Sequence, residues 1–310
     1  MQKDDRRHER KMLPAQGRLI PLVKVHPEGP ALSRLVAGAW RWHTVSNDIV
    51  ERLVHTALEL DITTFDHADI YGDHGNEEIF GNMLRKNPSL RAKMQLITKC
   101  GIKFNSAKRP ATWTKHYDTS KEHIIWSAEN SLRMLGTDYV ELLLIHRPDP
   151  LLDPHKVAEA FSLLRKEGKV LHFGVSNFTA SQFRMLQHHL PFPLVTNQIE
   201  ISLAHVDSFF NGDLDTLMEF NTSPMAWSPL GGGKPMSVDE RALFNKAAKY
   251  NASYSQLWLA WLLKHPSFIF PILGTTKPER LIEGAKSISV NLDRQDWFDI
   301  LKWSTGQDVP

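Results

Sequence analysis

Asp66, Tyr71, Lys99 and His146 bring an acid, a phenol, an amine and an imidazole into one recurring setting. Asp66 closes the apolar run Thr63-Thr64-Phe65-Asp66, and Tyr71 follows five residues later, just before Gly72. Lys99 ends Met94-Gln95-Leu96-Ile97-Thr98-Lys99, and His146 ends Val140-Glu141-Leu142-Leu143-Leu144-Ile145-His146. Each group sits at, or just past, the C-terminal end of a run that reads as a strand. Parallel neighbouring strands would bring the four side chains together. A free tyrosine titrates near about 10, a poor value for proton transfer at neutral pH. A nearby ammonium favours the phenolate, so Lys99 would lower it, and Asp66 supplies the counter-charge that Lys99 needs in a partly buried site. His146 can donate a hydrogen bond to a carbonyl oxygen or share the tyrosine proton. Such a tyrosine protonates an oxygen that is gaining negative charge. The simplest partner reaction is hydride delivery to a carbonyl, which requires a nicotinamide cofactor.

Elements must carry those groups. Short apolar runs at 35–38, 63–66, 94–99, 140–146, 172–176, 194–198, 225–228 and 268–273 alternate with helix-length amphipathic runs. The helical runs begin near Ser46, Asn76, Ser120, Asp153, Thr179, Asp207 and Asp239. Ser46, Ser120 and Thr179 offer the oxygen acceptor that a helix N-terminus wants. A run such as Leu142-Leu143-Leu144-Ile145, apolar throughout, suits a parallel sheet covered on both faces. Eight strand–helix repeats predict a closed (β/α)8 TIM barrel rather than an open sheet. Residues 19–30 read as part of an N-terminal hairpin closing the barrel bottom. Extra helices are expected at 244–250, 255–265, 278–286 and 294–303. Residues 1–15 read as a flexible tail and 16–310 as a single barrel domain.

The cofactor requires a phosphate site. Pro271-Ile272-Leu273-Gly274-Thr275-Thr276-Lys277-Pro278-Glu279-Arg280 reads as a strand, a Gly/Thr loop and a helix opening on proline. Its backbone N–H groups, the two threonine hydroxyls, Lys277 and Arg280 form an anion site, placed after the last strand where barrels commonly bind phosphate. Cations at a helix N-terminus oppose the helix dipole, so an anion there is the better reading than ordinary surface charge. Lys277 and Arg280 together suit a ribose phosphate, hence NADPH rather than NADH. Ser176, Asn177 and the amide of Gln198 stand at strand ends and can meet a carboxamide, Trp227 can stack on a flat ring, and Trp40 can wall a substrate pocket. Taken singly, Asp66 could be a turn cap, His146 a core histidine, Lys99 a rim charge and Tyr71 a loop aromatic. Taken jointly, order and fold favour catalysis. His67 and Asp69 with His146 raise the thought of a metal hydrolase, but no later strand ends on a further histidine, so no metal is expected.

These motifs resemble those of the aldo-keto reductase superfamily: Asp66 with Tyr71-Gly72, Ile97-Thr98-Lys99, Leu144-Ile145-His146-Arg147-Pro148, Gly174-Val175-Ser176-Asn177-Phe178, Asn197-Gln198 and residues 274–280. They fall in that family's order and spacing across residues 34–290. The wording of residues 66–72 and 144–150, and the ending Gln307-Asp308-Val309-Pro310, is similar to the bacterial YdhF-like oxidoreductases. The resemblance implies an NADPH-dependent carbonyl reductase, with Tyr71 as acid/base, Lys99 lowering its pKa, Asp66 holding Lys99 and His146 orienting the carbonyl. It assigns Ser176, Asn177 and Gln198 to the carboxamide. It assigns Ser228, Leu230, Thr275, Thr276, Lys277, Arg280 and Glu283 to the rest of the cofactor. Two positions depart from the pattern: the stacking residue, commonly Tyr, is Trp227, and Gly284 stands where many members carry Asn for the adenine. The superfamily also holds channel-associated regulatory barrels that bind NADPH and turn over slowly, which is the alternative reading.

Composition narrows the class further. A chain of 310 residues that is 42% hydrophobic and 23% charged has apolar residues enough for a full barrel core. A net charge of +2 is too small a bias to argue for nucleic acid or a membrane surface. The one cysteine, Cys100, excludes an internal disulfide and fits a reducing, cytoplasmic compartment. Neither the physiological carbonyl nor the oligomeric state is written in these residues.

Overall fold

The protein is described here by a computed structural model covering residues 17–233 and 240–308. The tail expected over residues 1–15 lies outside the described residues, as does Asp239. Eight strands form the barrel: β1 (Val36–Gly38), β2 (Thr64–Asp66), β3 (Gln95–Cys100), β4 (Val140–Ile145), β5 (Val170–Ser176), β6 (Leu194–Glu200), β7 (Met225–Trp227) and β8 (Phe270–Leu273). Each pairs in parallel with the next, and β8 pairs with β1 to close the ring. The (β/α)8 expectation is met.

Alternation along each strand sorts the side chains. Phe65, Leu96, Cys100, Leu143, Ile145, Phe173 and Val175 pack outward with the helices. Val36, Ile97, Leu142, Leu144, Met225, Phe270 and Ile272 pack inward with one another. Successive residues of a strand face opposite sides. Asp66, Lys99 and Ser176 therefore share the inward face, and His146 continues it just past β4. The His146 N–H donates to Cys100 O at 2.8 Å, extending the ladder by one residue.

The N-terminal hairpin pairs Leu22–Lys24 with Ala31–Ser33, and its Val23, Val25 and Leu32 join the inward cluster. Ser33 N–H donates to Thr64 Oγ1 and Ser223 N–H to Val25 O, bonds that fall where β2 opens and just before β7. The hairpin thus plugs the N-terminal end and leaves the other end for chemistry. Glycine at position 38 lets β1 lie this close to β8, since a Cβ there would be 2.8 Å from Ile272 Cγ2 and force a shift.

Ser46, Ser120, Asp153 and Thr179 cap helices Asn47–Glu59, Lys121–Leu135, Pro154–Lys166 and Ala180–His188, Thr179 with a reciprocal Gln182 bond. The helix expected near Asp207 begins later. Asp207–Phe209 is a short 3-10 turn that lodges Phe209 against Trp261, and the helix is Asp213–Glu219, opening after Gly212 at φ 88°. Helix Tyr254–Leu263 buries Gln256 and every residue from Leu257 to Leu262, because it lies between the barrel and an outer layer. That layer includes Arg294–Thr305, whose Trp297 stacks on Trp261 at 4.8 Å. Each of these two indoles donates its Nε1 proton to the other's backbone carbonyl at 3.0 Å.

Candidate active site

Lys99 Nζ is the hub at the open end of the barrel. It donates to Asp66 Oδ2 at 2.7 Å, to His67 O at 2.8 Å and to Tyr71 OH at 2.8 Å. Its side chain is fully buried, so those three acceptors replace its entire water shell. Asp66 uses its other oxygen, Oδ1, to accept from Gln198 Nε2 at 2.8 Å, linking β2 across the barrel to β6. The His146 ring stands edge-on to Tyr71 with centroids 5.8 Å apart. All four residues named from strand ends come together, and Gln198 joins them as a fifth.

The chain after β2 is shaped to deliver Tyr71. Gly72 takes φ 60°, and a Cβ there would sit 2.0 Å from Asn76 Oδ1. Asn76 is fully buried and donates to Ala39 O at 2.7 Å and Trp40 O at 3.1 Å. The Tyr71 loop is thereby fixed to the loop after β1, which carries Trp40 and Arg41.

Electrostatics follow from burial. Burial lifts the Tyr71 phenol above its ordinary 10.0, Lys99 pulls it back down, and Asp66 adds a further upward push. The expected lowering by Lys99 is present but burial outweighs it, so the phenol keeps its proton at neutral pH. Burial alone would strip Lys99, yet Asp66 and Tyr71 more than offset it and hold the ammonium above its ordinary value. His146 is driven well below its usual range by burial first, then by Lys99, Arg147 and Lys115, so its ring is neutral. Behind Lys99 two acids are buried on the outward side. Burial raises Asp69 to about 8 and Glu77 to about 7. His67, packed against Phe80 at 4.6 Å, falls to about 3 by burial and the Lys99 charge. Among the described residues no His, Cys, Asp and Glu group could hold a metal ion.

A cavity of about 1000 Å³ opens from this cluster across the barrel mouth. Asp66, Tyr71, His146, Ser176, Asn177, Gln198, Trp227, Ser228, Leu230, Thr275, Thr276, Lys277, Arg280, Glu283, Gly274 and Trp40 all line it, and Lys99 lies directly beneath. Asn177, however, is committed within the protein. Its Oδ1 accepts from Trp227 Nε1 at 2.9 Å, and its Nδ2 donates to Ser176 Oγ at 2.8 Å and His146 O at 3.3 Å. It braces the indole against the His146 loop. Lys277 N–H donates to Thr275 Oγ1 at 3.0 Å, folding the loop before helix Pro278–Ala285. Glu283 accepts from Ser253 Oγ at 2.5 Å. A Cβ at Gly284 would approach Leu273 Cδ1 to 3.0 Å, so the small residue there lets this helix lie against the end of β8.

Sequence reasoning missed several lining residues. Arg41 donates to Gly274 O at 3.1 Å and Gly232 O at 3.2 Å, joining the loops after β1, β7 and β8. Tyr254, Trp258 and Leu259 form a wall from helix Tyr254–Leu263, which precedes β8. Lys115, Tyr117 and Arg147 stand on the far side, and Arg147 carried a signal, since it directly follows His146.

The model of the aldo/keto reductase family matches residues 34–303. Oxidoreductase YdhF of Escherichia coli (strain K12) is 44% identical over 301 residues, covering 94% of this chain and 100% of that protein. The 6-dehydroglucose reductase of Agrobacterium fabrum (strain C58) is 43% identical over 288 residues, covering 90% and 96%. The crystal structure of a thermostable aldo-keto reductase superposes with a TM-score of 0.79 at 24% identity, covering 90% of this chain and 97% of that one, a likeness of fold. This chain belongs to the aldo/keto reductase family of oxidoreductases.

Proposed function

We propose that the protein reduces an aldehyde or ketone to an alcohol with NADPH as the hydride donor and Tyr71 as the general acid. The observation that carries this reading is the Asp66–Lys99–Tyr71 chain, ending in a protonated phenol on the cavity wall beside a neutral imidazole. Bound in the cavity, the cofactor supplies the hydride to the carbonyl carbon. Tyr71 gives its hydroxyl proton to the carbonyl oxygen as negative charge builds there. The phenolate left behind is stabilised by the Lys99 ammonium 2.8 Å away, and Asp66 keeps that ammonium charged. His146, neutral and edge-on to Tyr71, donates a hydrogen bond that aims the oxygen at the phenol.

The residues present fit a dinucleotide. The cavity volume is ample, and Gln198 Oε1 has no hydrogen-bond partner among the described residues, so it can accept from a carboxamide while Nε2 holds Asp66. Trp227 is locked by Asn177 as a stacking plane. At the other end Thr275, Thr276, Lys277 and Arg280 line the wall before a helix N-terminus, and neither cation is in a described ion pair. That pairing supports a 2′-phosphate and hence NADPH. We also propose a cytoplasmic protein built as a single barrel domain, supported by the free, buried Cys100 and the one closed ring of strands. Loss of NADPH absorbance with a simple aldehyde, measured for the native enzyme and for Tyr71→Phe, tests it. Equal turnover by the two proteins would overturn the role of Tyr71.

A further inference from the structure

The cavity wall is electrically lopsided. Arg41, Lys115, Arg147, Lys277 and Arg280 line it, against the carboxylates Asp66 and Glu283. Asp66 is already paired with Lys99, and Glu283 accepts from Ser253. Arg41, Lys277 and Arg280 cluster by β8 and β1, where a cofactor's phosphates would lie. Lys115 and Arg147 do not belong to that group. Lys115 lies on the chain just before the strand His116–Tyr117, which pairs antiparallel with Ile102–Lys103 directly after β3. Arg147 is the second residue past β4. In the closed ring β4 stands opposite β8, so these two cations face the cavity from the side away from the phosphate loop.

Neither cation has a carboxylate within ion-pair distance among the described residues, although other cations nearby do. Lys103 pairs with Asp118 at 3.2 Å, and Lys121 pairs with Glu159 at 2.9 Å. Arg147 is half-buried and held in place. Its guanidinium carbon lies 5.6 Å from the Trp227 ring centroid, and the Trp227–Asn177–His146 hydrogen-bond chain pins the start of its loop. Lys115 is exposed at the rim. Burial first, and then the charges of Lys99, Arg147 and Lys115, disfavour protonation of His146, so both cations act within electrostatic reach of that ring. A half-buried guanidinium with no carboxylate beside it, steadied against an indole, is free to receive a ligand's anion.

Building on the proposed carbonyl reduction, we infer that Arg147, assisted by Lys115, recognises a carboxylate on the substrate, so that the preferred substrates are oxo-acids rather than neutral carbonyls. The fork of Arg147 can bind the carboxylate in bidentate fashion, while Lys115 at the rim draws the anion in. A charge-assisted contact of this kind gives about 10- to 100-fold in kcat/KM.

The test compares matched pairs with NADPH: succinic semialdehyde against its methyl ester, and 4-carboxybenzaldehyde against its methyl ester. At least one acid should exceed its ester by about tenfold or more, and that ratio should collapse toward unity in Arg147→Met while Arg147→Lys keeps part of it. Native enzyme that reduces both esters as well as their acids overturns the inference, as does an acid preference that survives Arg147→Met. Failure of all four compounds to turn over removes the reductase reading itself, a result distinct from reduction without preference. Thermal unfolding of each variant, checked against native, shows that the ratio is read on folded protein.

Discussion

Replacing Asp66 by Asn should cost more than any other isosteric change in the barrel. Both carboxylate oxygens are in use, Oδ2 by Lys99 at 2.7 Å and Oδ1 by Gln198 at 2.8 Å. Asparagine offers one acceptor and one donor. If its oxygen turns to Lys99, its amide faces the Gln198 amide, donor against donor. A flip of Gln198 relieves that clash but not the charge. The Lys99 ammonium, with no exposed side-chain surface, is then left without a counter-ion and keeps only neutral acceptors: the new amide oxygen, His67 O and Tyr71 OH. Breaking one side of a buried pair costs about 3–5 kcal/mol. Urea denaturation at pH 7 should show that loss as a lower midpoint at unchanged slope. The sign with pH follows. Native Lys99 is held above its ordinary 10.5, so its contribution is full below that value and fades as pH climbs through the folded one. In the variant the folded lysine sheds its proton more readily than the unfolded chain, so stability rises with pH toward 10.5. The gap is therefore widest near neutrality and narrows in alkali. A loss under about 1 kcal/mol, or a gap that widens with pH, refutes the claim that Asp66 holds a buried ammonium.

Two further outcomes follow from the same environment and from the phosphate loop. Asp69 is raised from 3.8 to about 8, so native stability is full below 3.8 and declines as pH rises to about 8; Asp69→Asn should raise Tm by about 3 °C or more at pH 8.5 and by little at pH 4. No pH-dependent gain in thermal unfolding would contradict the buried acid. Arg280→Ala should weaken NADPH by about 10- to 100-fold and NADH by less than about threefold, read by fluorescence titration. Equal losses would argue against a 2′-phosphate contact.

The barrel could be read from the chain because short, wholly apolar runs alternate with amphipathic runs that open on capping residues, and strand ends differed from expectation by two residues at most. The tetrad was readable for a related reason: Asp66, Lys99 and His146 close strands, so topology alone brings them together. Side-chain commitments were not readable. Nothing in the order of residues shows that Asn177 spends its amide on Trp227 and Ser176, or that Gln198 serves Asp66. Arg41, Lys115 and Tyr254 come from loops and from a helix outside the repeat, whose approach to the mouth depends on tertiary packing. The segment at Asp207 misled because its polar opening resembles a helix start, while Phe209 is drawn onto Trp261 and the chain turns first. The direction of the Tyr71 shift also needed structure, since the sequence shows the lysine but not how completely the phenol is buried.

In the proposed reaction Tyr71 delivers the proton to the carbonyl oxygen. Steady-state reduction of an aldehyde by NADPH, compared between native enzyme and Tyr71→Phe with NADPH binding measured in parallel, tests it most directly. The expected result is a fall in kcat of at least about 100-fold with the NADPH Kd changed by less than about twofold. Turnover by Tyr71→Phe at the native rate would contradict it.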